Sequence, residues 1–240
     1  GNIVADTVMR ALSQVAPDRV SAGVGNLKVA AYSGIVDANY WVYMDITEGS
    51  YGGRPGKDGM DAVDTLFANT RNNPIEDIES HYPLRVSRYE LLADRGGPGR
   101  WRGGLGSVRD VTFTAPGGMS LEGDGNRFPP PGLFGGRPGT VGEVSLNPDR
   151  SDGREMPSKF PYMKLHANDT IRTVSPSGGG YGDPFERDPA RVLEDLRDGF
   201  IGAQAARSDY GVGVREAEAG VDGWVLDEAE TARLRSRRPS

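Results

Sequence analysis

The sequence predicts an α+β domain that is rich in β-structure and framed by an N-terminal helix and C-terminal helices. Three observations lead to this prediction. Short segments with alternating apolar and polar residues recur between residues 27 and 174, as in half-buried strands. Glycine-rich loops separate these segments. The longest runs of helical periodicity lie near the two ends of the chain.

The first predicted elements are one helix and two strands. Residues 3–16 carry apolar side chains at spacings of three and four, which is typical of an amphipathic helix, and Pro17 ends it. Residues 27–33 predict a strand. Residues 39–46 are aromatic and β-prone, so they predict a second strand.

The next segment contains the first glycine-rich loop, residues 49–59. It is expected to lead into a helix over residues 60–68, and the polar turn 69–74 follows. Residues 75–81 predict a short helix. The charged loop residues Arg54, Lys57 and Asp58 stand on a backbone that can approach a ligand closely, although a solvated surface loop is the simpler interpretation.

The middle of the chain predicts mostly β-structure. Alternating patterns predict the strands 84–92 and 169–174, and residues 107–114, 118–122 and 141–146 are also predicted to be strands. Residues 156–160 predict a short turn that carries Lys159.

The segment from Pro176 to Pro184 has four glycines within five positions, which excludes a helix interior or a well-packed strand. A helix with an Asp188 cap and Pro189 at its first position is predicted to follow. The glycines therefore form a strand-to-helix loop. Two interpretations remain open, a crossing where backbone packs on backbone and a loop that faces a ligand.

Residues 1–207 are predicted to form the main domain, with one or two helices at 187–207. Residues 208–240 predict a small appendage that ends in a charged helix (227–235) and a basic tail (235–240). The chain begins at Gly1 rather than Met, so we expect a processed chain, a fragment or a residue left by cloning.

Composition excludes several classes of function. The net charge of −6 argues against non-specific binding to nucleic acid or to anionic membranes. The 240 residues contain no cysteine, so disulfides and thiolate metal sites are excluded, and a cytoplasmic location is expected. No apolar run has the length of a membrane span.

Several strings in a fixed order resemble the C-terminal half of the hydantoinase B family. They are GGRPGKDG (52–59), NTRNNP (69–74), YPLRVSRYEL (82–91), GGPGRWRGGLG (96–106), PPGLFGG (130–136), PSKF (157–160) and SGGGYGDP (177–184). Each string alone is a glycine-rich or polar turn, but the ordered set is specific. That family includes the B-type subunits of N-methylhydantoinases, 5-oxoprolinases, caprolactamases and subunits of acetone and acetophenone carboxylases.

The resemblance implies an ATP-dependent hydrolase of cyclic amides that acts through a phosphorylated intermediate. A hydantoinase A-type partner is expected to bind ATP and Mg²⁺, and the substrate is a small molecule. Candidate residues for binding substrate or phosphate lie within the matched strings, whereas no catalytic residue is assigned. These candidates are Arg54, Asp58, Arg71, Lys159, Gly178, Gly179, Gly180, Tyr181 and Asp183.

Two departures from the family matter. The family's N-terminal half, which the resemblance implies carries a Zn or Mn site, is absent. We therefore expect a naturally split subunit, one piece of a processed chain or a fragment, with a second hydantoinase B-type piece as its partner. No metal is assigned to this chain, and His81 and His166 are expected to be structural or surface residues. Residues 123–128 are also less basic than in relatives.

Two alternative functions share the same strings. One is a subunit of an ATP-dependent acetone- or acetophenone-type carboxylase. The other is a scaffold subunit without catalytic residues of its own, which the scarcity of catalytic residue types and the turn-rich composition support.

Overall fold

The computed structural model describes residues 1–67, 69–217 and 223–237. The helices are α1 (Asn2–Leu12), α2 (Ile75–His81), α3 (Pro189–Arg197), α4 (Ala203–Ser208) and α5 (Glu228–Ser236). The strands are β1 (Lys28–Val36), β2 (Asn39–Thr47), β3 (Leu84–Leu91), β4 (Ser107–Phe113), β5 (Gly117–Gly123), β6 (Glu143–Leu146), β7 (Arg154–Glu155), β8 (Lys159–Leu165), β9 (Thr170–Val174), β10 (Gly213–Glu216) and β11 (Trp224–Asp227).

Two antiparallel sheets make up the main body. One has the strand order β2-β1-β5-β8, and the other has the order β3-β4-β9-β6-β7. The β1–β2 hairpin closes through Asp37 and Ala38, which have φ angles of 48° and 64°. Two consecutive positive φ angles are typical of the tight turn whose twist matches that of paired strands.

The hydrophobic core lies between the two sheets. Tyr32 and Met119 from the first sheet pack in one cluster with Phe113 and Ile171 from the second. The ring centroids of Tyr32 and Phe113 are 5.9 Å apart. Alternation along the strands sends these apolar residues to the shared interior, as the sequence predicts.

The C-terminal part of the chain has a second hydrophobic cluster. Helices α3 and α4 supply Val192, Leu196 and Ala206, and the segment before and within β10 supplies Tyr210 and Val214. This cluster therefore includes residues on both sides of position 207. The predicted domain boundary stays a prediction.

The α+β fold with terminal helices is confirmed, but two local predictions are wrong. Residues 60–67 form no helix, because Met60 O accepts the Tyr51 N–H and the Ala62 N–H donates to Leu105 O. These hydrogen bonds to distant segments use backbone N–H and C=O groups that a helix would pair within itself. Ala68 lies outside the described residues. The predicted turn at 156–160 leads instead into β8, a strand at the edge of its sheet.

The N-terminal helix is present, but it turns its polar side toward the body of the protein. Asn2 Nδ2 donates to Asn26 Oδ1 at 3.1 Å, and Asp6 Oδ1 accepts from the Val24 N–H at 3.2 Å. The apolar residues that define its periodicity are exposed. They are Val4, Val8 and Leu12, with Val15 just beyond the helix.

The charged helix at the C-terminus is also present, as α5. The last three residues of the predicted basic tail lie outside the described residues. Within the described residues, no helix combines the length and apolar character that a membrane crossing requires.

Candidate functional site

The loop around Gly178–Gly180 is a buried crossing of backbone segments, which we call the glycine crossing: residues 22–25, 51–53, 97–104, 131–137 and 178–182. Its centre is held by N–H donation from Gly178 to Gly104 O (2.9 Å) and from Gly179 to Gly23 O (2.8 Å). The Gly180 N–H donates to Arg137 O at 2.9 Å. These three N–H groups are therefore used within the fold.

Close approach explains the glycines of this crossing. A Cβ atom added to Gly179 would lie 2.1 Å from Pro131 O, and one added to Gly178 would lie 2.0 Å from Tyr51 O. Such distances are far below van der Waals contact, so any side chain would force the segments apart. The geometry favours the structural crossing of the two interpretations, and a ligand-binding role for these glycines stays a prediction.

Tyr181 and Asp183 continue this segment with structural contacts of their own. The Tyr181 hydroxyl donates to Pro17 O at 2.8 Å, and its N–H donates to Trp101 O at 2.9 Å. Asp183 Oδ1 accepts from the Phe185 N–H at 2.8 Å and caps the short 3-10 helix Pro184–Glu186.

Asp58 belongs to a charged network that joins the first glycine loop to the C-terminal segment. Its carboxylate accepts two hydrogen bonds from Arg187, at 2.6 and 2.9 Å, and one from the Arg102 N–H at 2.6 Å. Arg187 also donates to Asp195 at 2.8 Å, and the Arg187 side chain is only 1% exposed. Burial raises the pKa of Asp58, but the bonds and charge of Arg187 outweigh it and leave that pKa below its usual value.

The three remaining charged candidates, Arg54, Arg71 and Lys159, are exposed and lie in different places. Arg54 pairs through its backbone with Lys57 in a tight turn. Lys159 Nζ lies 2.9 Å from Asp124 Oδ1, and this hydrogen bond raises the lysine pKa. Arg71 lines a cleft described below. The structure does not bring these three cations to one site.

A first cleft of about 420 Å³ lies between α1 and the loop 124–131, and we call it the helix cleft. Asp6 and Arg10 of α1 line it, with Asn126 and Arg127 opposite. Lys28 holds this loop in place. Its side chain is fully buried, and its Nζ donates hydrogen bonds to Asn126 Oδ1 and Asp124 O. Burial lowers the pKa of Lys28 to about 8.

A second cleft of about 490 Å³ lies beyond the end of β2, and we call it the Glu48 cleft. Met60, Val63 and Tyr51 supply apolar contacts, and Glu48, Asp64, Asn69, Thr70, Arg71 and Asn72 supply polar ones. The volume is within the range of about 300–1,000 Å³ that is typical of small-molecule sites.

Glu48 is the buried acid of this cleft. It is 3% exposed, and its Oε1 lies 3.0 Å from Thr70 Oγ1. Its other oxygen, Oε2, is buried and has no hydrogen-bond partner among the described residues. Burial raises the pKa of Glu48 to about 7.

The sequence predictions included neither Glu48 nor Lys28. Glu48 lies directly between an apolar strand and a glycine-rich loop. This position could have identified it as a candidate functional residue, because loops at strand ends often carry functional groups. Lys28 offered no such signal, because its burial depends on contacts with residues about 100 positions away.

Among the described residues, no three His, Cys, Asp or Glu side chains are grouped so that they could hold a metal ion. His81 and His166 both lie at exposed positions. The side chains described here therefore do not fit a resident Zn or Mn site.

Comparison with known proteins places the chain in a family. Residues 1–184 match the profile of the family described as hydantoinase B/oxoprolinase. The chain is a member of the hydantoinase B family. It is 58% identical over 219 residues, or 91% of its length, to a protein of Pseudomonas sp. (strain NS671) assigned as the B-type subunit of a D-/L-hydantoinase.

Two other relatives carry different activities in their names. The crystal structure of the ATP-dependent caprolactamase from Pseudomonas jessenii superposes with a TM-score of 0.79 at 27% identity over 95% of this chain. The acetophenone carboxylase delta subunit of Aromatoleum aromaticum is 31% identical in an alignment 235 positions long that covers 83% of this chain. The chain spans 37%, 40% and 33% of the lengths of the hydantoinase, caprolactamase and carboxylase relatives, respectively.

Proposed function

We propose that this chain is a component of an ATP-dependent cyclic-amide hydrolase that opens hydantoin, 5-oxoproline or lactam rings through a phosphorylated intermediate. It works with a hydantoinase A-type subunit that binds ATP and Mg²⁺. The observation that carries the proposal is the 58% identity to the B-type hydantoinase subunit across 91% of the chain. The relatives named as subunits support an activity that belongs to a complex.

A second hydantoinase B-type region is the proposed partner of the exposed side of α1. Val4, Val8 and Leu12 form an apolar stripe that the described residues leave uncovered. Exposed apolar surface of this kind is costly in water and marks interaction sites. More than half of each relative's length lies outside the part that this chain matches, and that additional chain is the occupant to which we assign the stripe.

The outer face of β2 supports the same assignment. Tyr40, Val42 and Met44 alternate along this edge strand and are all exposed, and Tyr40 pairs with exposed Ile35 of β1. An open edge beside an apolar face favours contact with another segment. Any metal of the complex is assigned to that additional region, because the side chains described here do not fit one.

The test is reconstitution of the complete complex from this chain, the remaining hydantoinase B-type region and the hydantoinase A-type subunit. We expect ring opening of a hydantoin, 5-oxoproline or a lactam that requires ATP and releases ADP. Omission of this chain should abolish it. A complete, assembled complex that turns over none of these cyclic amides would overturn the proposal.

A ketone carboxylase is the second candidate, and the 31% identity to the acetophenone carboxylase subunit favours it. The same reconstituted complex distinguishes the two. ATP consumption that depends on both bicarbonate and a ketone, with a carboxylated product, would support the carboxylase.

A scaffold role within the complex is the third candidate. It is favoured by the internal contacts of Asp58 and of Gly178–Gly180, whose polar groups are bonded within the fold. Alanine variants of the exposed Arg54, Arg71 and Lys159 should then leave turnover within a few fold. A fall of about 100-fold in turnover of an intact complex, equivalent to about 2.7 kcal/mol of transition-state stabilisation, would reject the scaffold role.

A further inference from the structure

The Thr70 hydroxyl lies between the carboxyl groups of Glu48 and Asp64, and its hydrogen bonds indicate which of these two acids is protonated. Thr70 Oγ1 lies 3.0 Å from Glu48 Oε1 and 2.7 Å from Asp64 Oδ2. A threonine hydroxyl has one proton, so it can donate to only one of these oxygens. Both contacts are hydrogen bonds only if one carboxyl group is itself protonated and donates to Thr70.

Hydrogen bonding assigns that proton to Glu48. Asp64 accepts the Thr65 N–H at 2.9 Å and the Thr70 N–H at 2.9 Å, which stabilises its ionised form. Glu48 accepts no backbone N–H among the described bonds and is buried. The resulting chain runs from Glu48 Oε1 through Thr70 Oγ1 to Asp64 Oδ2, and it leaves Glu48 Oε2 as an unused acceptor. The raised pKa of Glu48 agrees with this assignment.

The polar lining of the cleft matches the edge of a cyclic amide. Such an edge presents one N–H donor beside one carbonyl acceptor. Glu48 Oε2 is an acceptor without a partner, and Arg71 adds a guanidinium with no ion pair among the described residues. Met60 and Val63 supply apolar contacts for the ring.

We propose that the Glu48 cleft binds the H–N–C=O edge of the cyclic amide, with Glu48 as the residue that takes the N–H proton and Arg71 facing the carbonyl oxygen. This inference rests on the proposed function. During activation, the carbonyl oxygen bonds to the γ-phosphorus of ATP, and the bond from that phosphorus to the leaving ADP oxygen breaks. The N–H electron pair forms the C=N bond. The proton moves to Glu48 Oε2, while the Oε1 proton moves to Thr70 and the Thr70 proton moves to Asp64.

The charges around Glu48 agree with this role. Asp64 and Asp45 act on it with like charge and oppose its ionisation, and Tyr89 is near enough to be influenced by it. Arg71 is the cation that lines the same cleft. A neutral carboxyl with one oxygen on a proton chain and one free oxygen can take a proton and release another at the same time.

The test compares variants within the complete complex. Glu48→Gln keeps the shape of the side chain but cannot relay a proton, so we expect kcat for ring opening to fall by about 10²- to 10⁴-fold with little change in KM. Glu76→Gln, at an exposed position of α2, is the matched control and should leave kcat unchanged. Native mass spectrometry and thermal unfolding of each variant verify assembly and folding.

Two further variants keep the test decisive if Glu48→Gln fails to assemble. Thr70→Val interrupts the proton chain, and Arg71→Ala removes an exposed cation; each should lower kcat by about tenfold or more. If the wild-type complex is active and the variants that assemble stay within about twofold, the Glu48 assignment is overturned while the hydrolase function stands. If the assembled wild-type complex opens no cyclic amide, the proposed function fails and this inference fails with it.

Discussion

Replacement of Asp58 by alanine tests whether this residue is a structural anchor or a ligand-binding group. Asp58 holds both terminal nitrogens of Arg187, and the Arg187 side chain is 1% exposed. The variant leaves a buried guanidinium with Asp195 as its remaining carboxylate partner, at 2.8 Å. It also leaves the Arg102 N–H without its acceptor, which stood at 2.6 Å.

The expected loss follows from the cost of an uncompensated buried charge. Removal of one partner from a buried ion pair destabilises by about 3–5 kcal/mol. Because Asp195 continues to bind Arg187, we expect Asp58→Ala to lie at the lower end, with a loss of about 3 kcal/mol in the free energy of unfolding. For a chain of this size, that loss corresponds to a fall of about 6–12 °C in Tm.

The assay is thermal unfolding followed by calorimetry, with ring-opening activity of the complex measured in parallel. Asp58→Asn retains one oxygen acceptor and should lose less stability than Asp58→Ala. Asp18→Ala is the control, because that carboxylate is exposed and should change stability by less than about 0.5 kcal/mol. If Asp58→Ala melts like the control but loses turnover, the structural explanation is wrong and Asp58 belongs to the binding site.

Three further predictions test other parts of the molecule. Gly179→Ala should lower the free energy of unfolding by about 3 kcal/mol or more, because the added Cβ would lie 2.1 Å from Pro131 O. Chemical denaturation should show a smaller loss for the control Gly56→Ala, where no atom lies near the added Cβ and only the φ of +85° disfavours a side chain. The contribution of Glu48 to the free energy of unfolding should fall by about 3 kcal/mol as pH rises from about 4.5 to about 7, because folded Glu48 holds its proton more tightly than the unfolded chain does. Urea titrations of the wild type and of Glu48→Gln across that range should differ by this amount, and parallel pH profiles would contradict the prediction. Val8→Asp should leave Tm nearly unchanged but weaken co-purification with the remaining hydantoinase B-type region, and undiminished binding would contradict the assignment of the α1 stripe.

Local patterns predicted the elements whose environment follows from their own sequence. The alternation in residues 84–92 and 169–174 identified β3 and β9, since one face of each strand meets the core. The Asp188-Pro189 start of α3 was also predictable, because Asp188 Oδ1 accepts the Ala190 N–H at 2.9 Å.

Distant contacts decided what local patterns could not. The helix predicted at 60–68 does not form, because backbone groups of this segment make hydrogen bonds with Tyr51 and Leu105 instead. Strand β8 was missed because Pro161 interrupts its pattern, and proline is tolerated there because β8 is an edge strand. The direction in which α1 faces could not be read from its periodicity, which locates an apolar stripe but does not say what covers it.

The candidate site depended even more on the tertiary fold. Arg71 was predicted from a string of residues, whereas Glu48 gains its character from burial and from Thr70, 22 positions away. Asp58 was also predicted, but its contact with Arg187, 129 positions later, could not be inferred from either segment alone.

The glycine crossing has a consequence for how this protein folds. Its five segments lie between residues 22 and 182. The last of them, residues 178–182, supplies through Gly178–Gly180 the bonds that join Gly23, Gly104 and Arg137. During synthesis the backbone oxygens of Gly23, Gly104 and Arg137 therefore lack these bonds until Gly178–Gly180 has left the ribosome. Contacts of such long range form slowly because loop closure precedes any gain from bonding. The nascent chain should thus be most dependent on chaperones just before the crossing closes.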